Sequence, residues 1–249
     1  MPAISSDTLF HFTGRDSLLG ILKNEFYPKF SLEHYQIDDT TSYKVGIPMV
    51  SFCDIPLSLV YSHMTNYGNY GIGMSKKWAE TNRLNPVLYL RMGSRMTKTL
   101  DDVINSIFKD VKGVRNLGIE IQSLTGQRDM LIKLFTFTKS FECLSEGKKY
   151  YDEREWRYVP DPSLYGSVRN ILSESDFKDP ILYEENEKLK KAKLSFHPDD
   201  INYIIIKQES ERLDLIDKID FIKGKYDKQT TRRVLLSKII SAEQILQDF

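Results

Sequence analysis

Apolar and polar residues alternate over several short stretches of the chain, and between these the spacing changes to three and four. Leu9-Phe10-His11-Phe12-Thr13-Gly14 alternates, with Phe10 and Phe12 on one face and Leu9, His11 and Thr13 on the other, which predicts a short strand ended by a Gly turn. Asp16 to Asn24 then carries apolar residues at helical spacing behind a candidate N-cap, Asp16. Phe26 to Tyr43 shows no clear period and predicts an extended loop with room for a short strand. Ile47 to Ile55 predicts a second strand, and Pro56 suits the first turn of a helix from Leu57 to about Thr65, because its missing N–H would go unpaired there anyway. Ser75 can cap a short helix reaching Asn82, and Pro86 to Arg91 predicts an apolar strand.

From Thr99 to about Leu144 the period is helical. Leu100, Val103, Ile104, Ile107, Phe108 and Val111 form one stripe, and a second helix or helix pair follows from Leu117 to Thr138, with Gly126 as a break point. This helical insertion separates the early strands from the most charged strand pattern in the chain, Tyr150 to Tyr158. There Glu153, Glu155 and Arg157 project one way, and Arg154, Trp156 and Tyr158 the other. Beyond Pro160 comes a turn-rich, charged stretch to Lys193, in which Glu184 to Lys191 could form a solvated helix and the remainder reads as loop. Ile201 to Lys207 predicts a strand, Glu209 to Lys223 a helix, and Arg233 to Ile240 a last strand. The sum is an α+β chain, read as one domain over residues 1–249 with an insertion at about 99–144.

Charge narrows the function classes. Thirty-five basic residues balance thirty-five acidic ones, so no overall field draws the chain to nucleic acid or to an acidic membrane. Lys188 to Lys193 and Arg232-Arg233 are short basic runs of the kind found on solvated faces, and a nucleic-acid-binding regulator is the least favoured reading. Cys53 and Cys143 lie far apart in apolar surroundings, as buried reduced thiols do, and four histidines without close Cys/His spacing give a metal site no support. Met1 to Leu9 lacks the basic start and apolar run of a signal peptide, and no stretch reaches membrane-spanning length, so a soluble cytoplasmic protein is expected. The glycines between Tyr67 and Gly73 precede a strand, not a helix, which is the wrong context for a phosphate cradle.

The candidate site residues each allow two readings. His11 with Thr13 beside a glycine turn is either a half-buried polar pair or a ring that hydrogen-bonds a ligand. Ser51 could face the same cleft, while Asp54 suits a helix cap. His63, Tyr67 and Tyr70 crowd a segment with Gly68 and Gly71, suiting either turn packing or a planar ligand beside bare backbone. Glu153 and Glu155 on one strand face repel. They need Arg157 or another cation in a structural role, or a sugar C1 region where developing positive charge is stabilised in a catalytic one.

Several blocks, taken in order, carry a resemblance. Leu9-Phe10-His11-Phe12-Thr13, Val50-Ser51-Phe52-Cys53-Asp54-Ile55-Pro56-Leu57, His63 to Met74, Asn85 to Tyr89, Glu153 to Tyr158 and Ser237 to Ile245 together resemble the AbiGi family of bacterial abortive-infection proteins, over nearly the whole chain. The resemblance implies the antitoxin-like half of a two-gene phage-resistance system, and so a partner toxin or phage component bound without catalysis. The same blocks are distantly similar to ADP-ribosyltransferase-like domains, with a His on the first strand, a Tyr or Ser on a middle strand and a late Glu-x-Glu. That similarity implies a mixed, mainly antiparallel sheet core and NAD as substrate, with ADP-ribose passed to a macromolecule or to water. It would give His11 the adenosine-side ribose, Tyr70 or Tyr67 the nicotinamide face, Glu155 the nicotinamide ribose and Glu153 the orienting of the acceptor or the substrate. The helical insertion is not part of a minimal transferase pattern.

Overall fold

The computed structural model describes residues 5–113, 129–144, 147–166, 169–222 and 228–248. Its frame is a nine-stranded sheet made of strands β1 (Thr8–Thr13), β2 (Lys29–Gln36), β3 (Ser42–Cys53), β4 (Tyr70–Ser75), β5 (Asn85–Pro86), β8 (Glu155–Tyr158), β9 (Leu172–Ser173), β10 (Ile201–Ile206) and β11 (Ile239–Ser241). The order is β11-β10-β4-β1-β3-β8-β5, with β2 and β9 added along the N-terminal half of β3. Every pairing in this sheet is antiparallel except β10 with β11. Two further strands, β6 (Leu88–Leu90) and β7 (Thr138–Ser140), form a small parallel pair.

The alternation of β1 divides the core between the two faces of the sheet. Leu9 joins Phe52, Ile72, Met74 and Ile204 beneath the helices α1 (Arg15–Asn24), α3 (Lys76–Thr81), α7 (Arg212–Asp220) and α8 (Gln229–Leu236). On the other face Phe10 and Phe12 join Cys53, Ile205 and Ile245 beneath α2 (Tyr61–Tyr67) and α9 (Ala242–Asp248). Gly71 and Gly73 of β4 lie against those two rings. A Cβ at Gly71 would come within 3.0 Å of Phe12, and one at Gly73 within 2.9 Å of Phe10. These glycines therefore serve close ring-on-backbone packing, not a ligand.

Local expectations hold best where the pattern is longest, and differ at the ends. Gly14, not Asp16, is the N-cap of α1, and no side chain caps it; Asp16 falls in the first turn. The 26–43 stretch is no loop, since β2 and the start of β3 pair over eight residues from Lys29↔Met49 to Gln36↔Ser42. The expected helix after Pro56 divides into a 3-10 turn, Leu57–Leu59, and α2. Asp54 caps neither. Its carboxylate accepts from Ser5 Oγ (2.9 Å) and the Ser6 N–H (3.2 Å) and pairs with Lys76 (3.0 Å), so it pins the N-terminal segment. Ser75 does cap α3, accepting from the Trp78 N–H at 3.2 Å.

In the insertion, α4 runs from Arg95 to Gly113 and residues 129–135 form a further helix, α5. Of the rest of the second expected helix, residues 117–128 lie outside the described residues, while Thr136 and Phe137 form a turn and Thr138 already opens β7. The expected last strand, Arg233–Ile240, instead begins as the end of a helix, α8 (Gln229–Leu236), and only Ile239–Ser241 is strand. Leu235 is fully buried while Val234 is 40% exposed, a one-sided pattern that a short helix satisfies as well as a strand. The helix at Ile181–Leu189, α6, falls close to its expected place. Among the described residues no helix is long and apolar enough to cross a membrane.

Candidate functional site

Strands β1 and β3 pair at Phe10↔Cys53 only, because β1 continues along β4 while β3 continues along β2 and β8. A gap opens between them, and polar groups close it. The carbonyl oxygen of Ser51 is met by the His11 ring, Nδ1···O 2.8 Å. A carbonyl only accepts, so Nδ1 carries the proton and Nε2 is the acceptor of the neutral ring. Burial lowers the His11 pKa, against the backbone hydrogen bond that raises it. On either side of this bridge lies a cavity. The larger, about 480 Å³, is lined by Thr13, Gly20, Phe26, Tyr27, Lys29 and Phe30, among others. The smaller, about 160 Å³, is lined by His63, Tyr67, Cys53, Lys139, Glu153 and Glu155, among others. His11, Ser31, Met49 and Ser51 line both, so the two meet at the split.

The floor of the smaller cavity is ionic. Lys139 of β7 places its ammonium 2.8 Å from Glu153 and 2.6 Å from Glu155. Arg157, fully buried, donates from Nε to Glu155 (2.5 Å) and from Nη2 to Glu33 (2.8 Å), while Nη1 donates to the carbonyls of Thr136 and Thr138. Glu153 also accepts from the Tyr67 hydroxyl (2.5 Å) and pairs with Lys148 at 3.0 Å. Three carboxylates thus meet three cations. Burial pushes the Glu153 carboxyl up, but the charge and hydrogen bond of Lys139, with Tyr67 and Lys148, outweigh it and hold it at about 2. Glu155 is likewise lowered, Arg157 and Lys139 outweighing its burial. Both carboxylates are ionised at neutral pH.

The charged segment is only half a strand. Tyr150–Glu153 is a 3-10 turn and Arg154 is left-handed (φ 46°), so β8 begins at Glu155. The expected faces survive in β8: Trp156 and Tyr158 pack on the main apolar cluster, and Glu155 and Arg157 turn to the ionic one. Glu153 reaches the same lysine from the turn. His11, Ser51, Tyr67, Glu153 and Glu155 are therefore gathered on the smaller cavity, and Thr13 on the larger one. Tyr70 lies apart, its hydroxyl donating to Glu211 at 2.8 Å among the α1 and α7 side chains.

Lys139, Glu33, Ser31 and Lys148 are the members that sequence reasoning passed over. Their signal was present in part. Phe135-Thr136-Phe137-Thr138-Lys139-Ser140-Phe141 alternates with β-branched and aromatic residues, a strand signature that a helix assignment to Thr138 obscures. Glu33 sits on β2, within the stretch read as loop. Cys53 and Cys143 are buried and outside any disulfide, and among the described residues no cluster of His, Cys, Asp and Glu is arranged to hold a metal ion.

Comparison with known proteins matches residues 24–207 to the family described as "Putative abortive phage resistance protein AbiGi, antitoxin". The chain is similar to the abortive phage resistance protein AbiGi of Lactococcus lactis subsp. cremoris, with 30% identity over 257 aligned residues that cover 90% of this chain and 98% of the relative. No solved structure matches it.

Proposed function

The chain belongs to the AbiGi family of abortive phage resistance proteins, and we propose that it acts in phage defence through the cleft at the β1/β3 split, as an ADP-ribosyltransferase-like site for NAD. One observation carries this reading. Three adjacent strands, β1, β3 and β8, bring His11, Ser51 and Glu155 to one cavity in the order His, Ser, Glu. The larger cavity, about 480 Å³, falls within the roughly 300–1,000 Å³ range of small-molecule sites. His11 Nε2 accepts a ribose hydroxyl, Lys29 offers a cation to the phosphates, and the exposed ring of Tyr27 suits a planar base. Glu155, ionised and out of water, stabilises the positive charge that develops as the nicotinamide–ribose bond breaks.

The test is calorimetry of NAD binding with nicotinamide release followed in the same samples. Wild type should bind saturably and release nicotinamide, and Glu155→Gln should bind but not release. Gly20→Phe supplies an independent block, because a Cβ at Gly20 meets nothing within 4 Å and Gly20 lines the larger cavity. That variant should stay folded and lose binding. Absence of binding at millimolar NAD would overturn the reading.

A second reading has an observation of its own. Both Glu155 oxygens are already claimed, by Lys139 and Arg157, in a charge-balanced cluster that a purely structural role would also produce. The chain would then be a non-catalytic antitoxin binding a partner toxin, in keeping with the family's description. Under it, Glu155→Gln loses phage resistance only as far as it loses stability, and NAD does not bind.

A further inference from the structure

His63 stands on α2 and lines the smaller cavity with Tyr67, Lys139, Glu153 and Glu155. Only 9% of it is exposed. The rings of Tyr67 and Phe12 flank it, at centroid distances of 5.6 and 6.4 Å. No hydrogen bond among the described residues goes to its ring nitrogens. A ring on the cavity wall with no hydrogen-bond partner among the described residues is available to what enters the cavity.

The charged groups around the ring set its protonation. Glu153 faces it from the turn before β8, Lys148 from the segment ahead of that turn, Lys139 from β7, and Glu155 from across the cavity on β8. Tyr67 on its own helix and Cys53 on β3 are uncharged, both thiol and phenol being pushed up first by burial. From β1, Phe12 packs beside the ring and His11 lines the same cavity, its own pKa lowered first by burial. Burial lowers the His63 pKa, Glu153 opposes this, and Lys148 and Lys139 add to the lowering, so the ring is neutral at pH 7 and able to accept a proton.

Resting on the reading of the cleft as an NAD site, we infer that His63 is the general base for an acceptor hydroxyl, of water or of a macromolecule, entering beside Tyr67. The acceptor O–H gives its proton to His63 as its oxygen bonds to the ribose carbon. The carbon–nitrogen bond to nicotinamide breaks with its electron pair passing to the pyridinium nitrogen, and nicotinamide leaves neutral. The positive charge of the pyridinium ends as the proton on imidazole, next to Glu153. This chemistry selects hydroxyl acceptors, whose proton must be taken as the bond forms.

The experiment compares wild type, His63→Gln and Glu155→Gln for NAD binding and for nicotinamide release between pH 5 and 9. His63→Gln should bind NAD within about twofold of wild type, release nicotinamide about 100-fold more slowly, and lose the rise in rate with pH expected of wild type. Wild-type release and an unchanged pH profile in His63→Gln, with release abolished in Glu155→Gln, would overturn the role of His63 and leave the NAD reading standing. A wild type that binds no NAD would overturn both. Should the substitution unfold the protein, the wild type still decides: with only four histidines, ring NMR signals are resolvable. Saturating NAD should shift those of both His63 and His11, and a His63 ring unmoved while His11 shifts would refute the proposal.

Discussion

The two faces of β3 and β8 are built on opposite principles. One carries Phe52 and Trp156 into an aromatic layer, where Phe26, Phe52, Trp78 and Phe196 stand at centroid distances of 5.2 to 6.0 Å in mostly edge-to-face contacts. The other carries Glu155 and Arg157 into a cluster of three carboxylates and three cations. The aromatic face is held by buried area, which is non-directional and indifferent to pH, so it tolerates exchange of one apolar residue for another of similar size. The ionic face is held by pairing, and each member leaves another buried charge exposed to the loss. That is how one strand can support a permissive wall and an exacting floor one residue apart.

Removing the shared cation should break the comparison most sharply. Lys139→Met leaves Glu153 and Glu155 side by side with one partner fewer each, and should cost about 3–5 kcal/mol in urea denaturation at pH 7. Acid should reproduce part of this loss. The Glu153 pKa is depressed from 4.5 to about 2 on folding, so its contribution is complete above pH 4.5 and is lost as pH falls toward 2. By itself this is worth about 3 kcal/mol, and thermal melts between pH 7 and pH 2 should show it. On the aromatic face, Phe26→Leu should cost about 1 kcal/mol, and the same at pH 7 as at pH 9, where the His11 ring packed on Phe26 stays neutral. The smallest effect has the opposite sign: Gly20→Ala, mid-helix with open space at its Cβ, should stabilise the protein by about 0.5–1 kcal/mol in the same denaturation assay.

The failures of local reading have identifiable causes. Arg154 takes a left-handed backbone between two carboxylates that alternation alone puts on one strand, and Glu153 reaches its lysine from a turn. Asp54 looks like a cap beside Pro56, yet Ser5, Ser6 and Lys76 reach it from other parts of the fold. Pro86 to Arg91 reads as one strand, but Asn85–Pro86 pairs with β8 while Leu88–Leu90 leaves to pair with β7. In each case a long-range partner displaced the nearest local one.

The sequence by itself determined which residues share a face: Phe10 and Phe12 against Leu9 and His11, Glu155 and Arg157 against Trp156 and Tyr158. It could do so because strand alternation is a property of neighbouring residues. It also carried the family, through blocks whose order spans the chain. Tertiary structure alone decided that β1 and β3 part after one pair, that the gap becomes a cleft bridged by His11, and that Tyr67 and not Tyr70 stands at it. It alone placed Lys139 between two carboxylates fourteen and sixteen residues away, and Glu33 on an arginine 124 residues away. A charge carries no periodic mark of its partner, and only the folded sheet brings these groups within hydrogen-bonding reach.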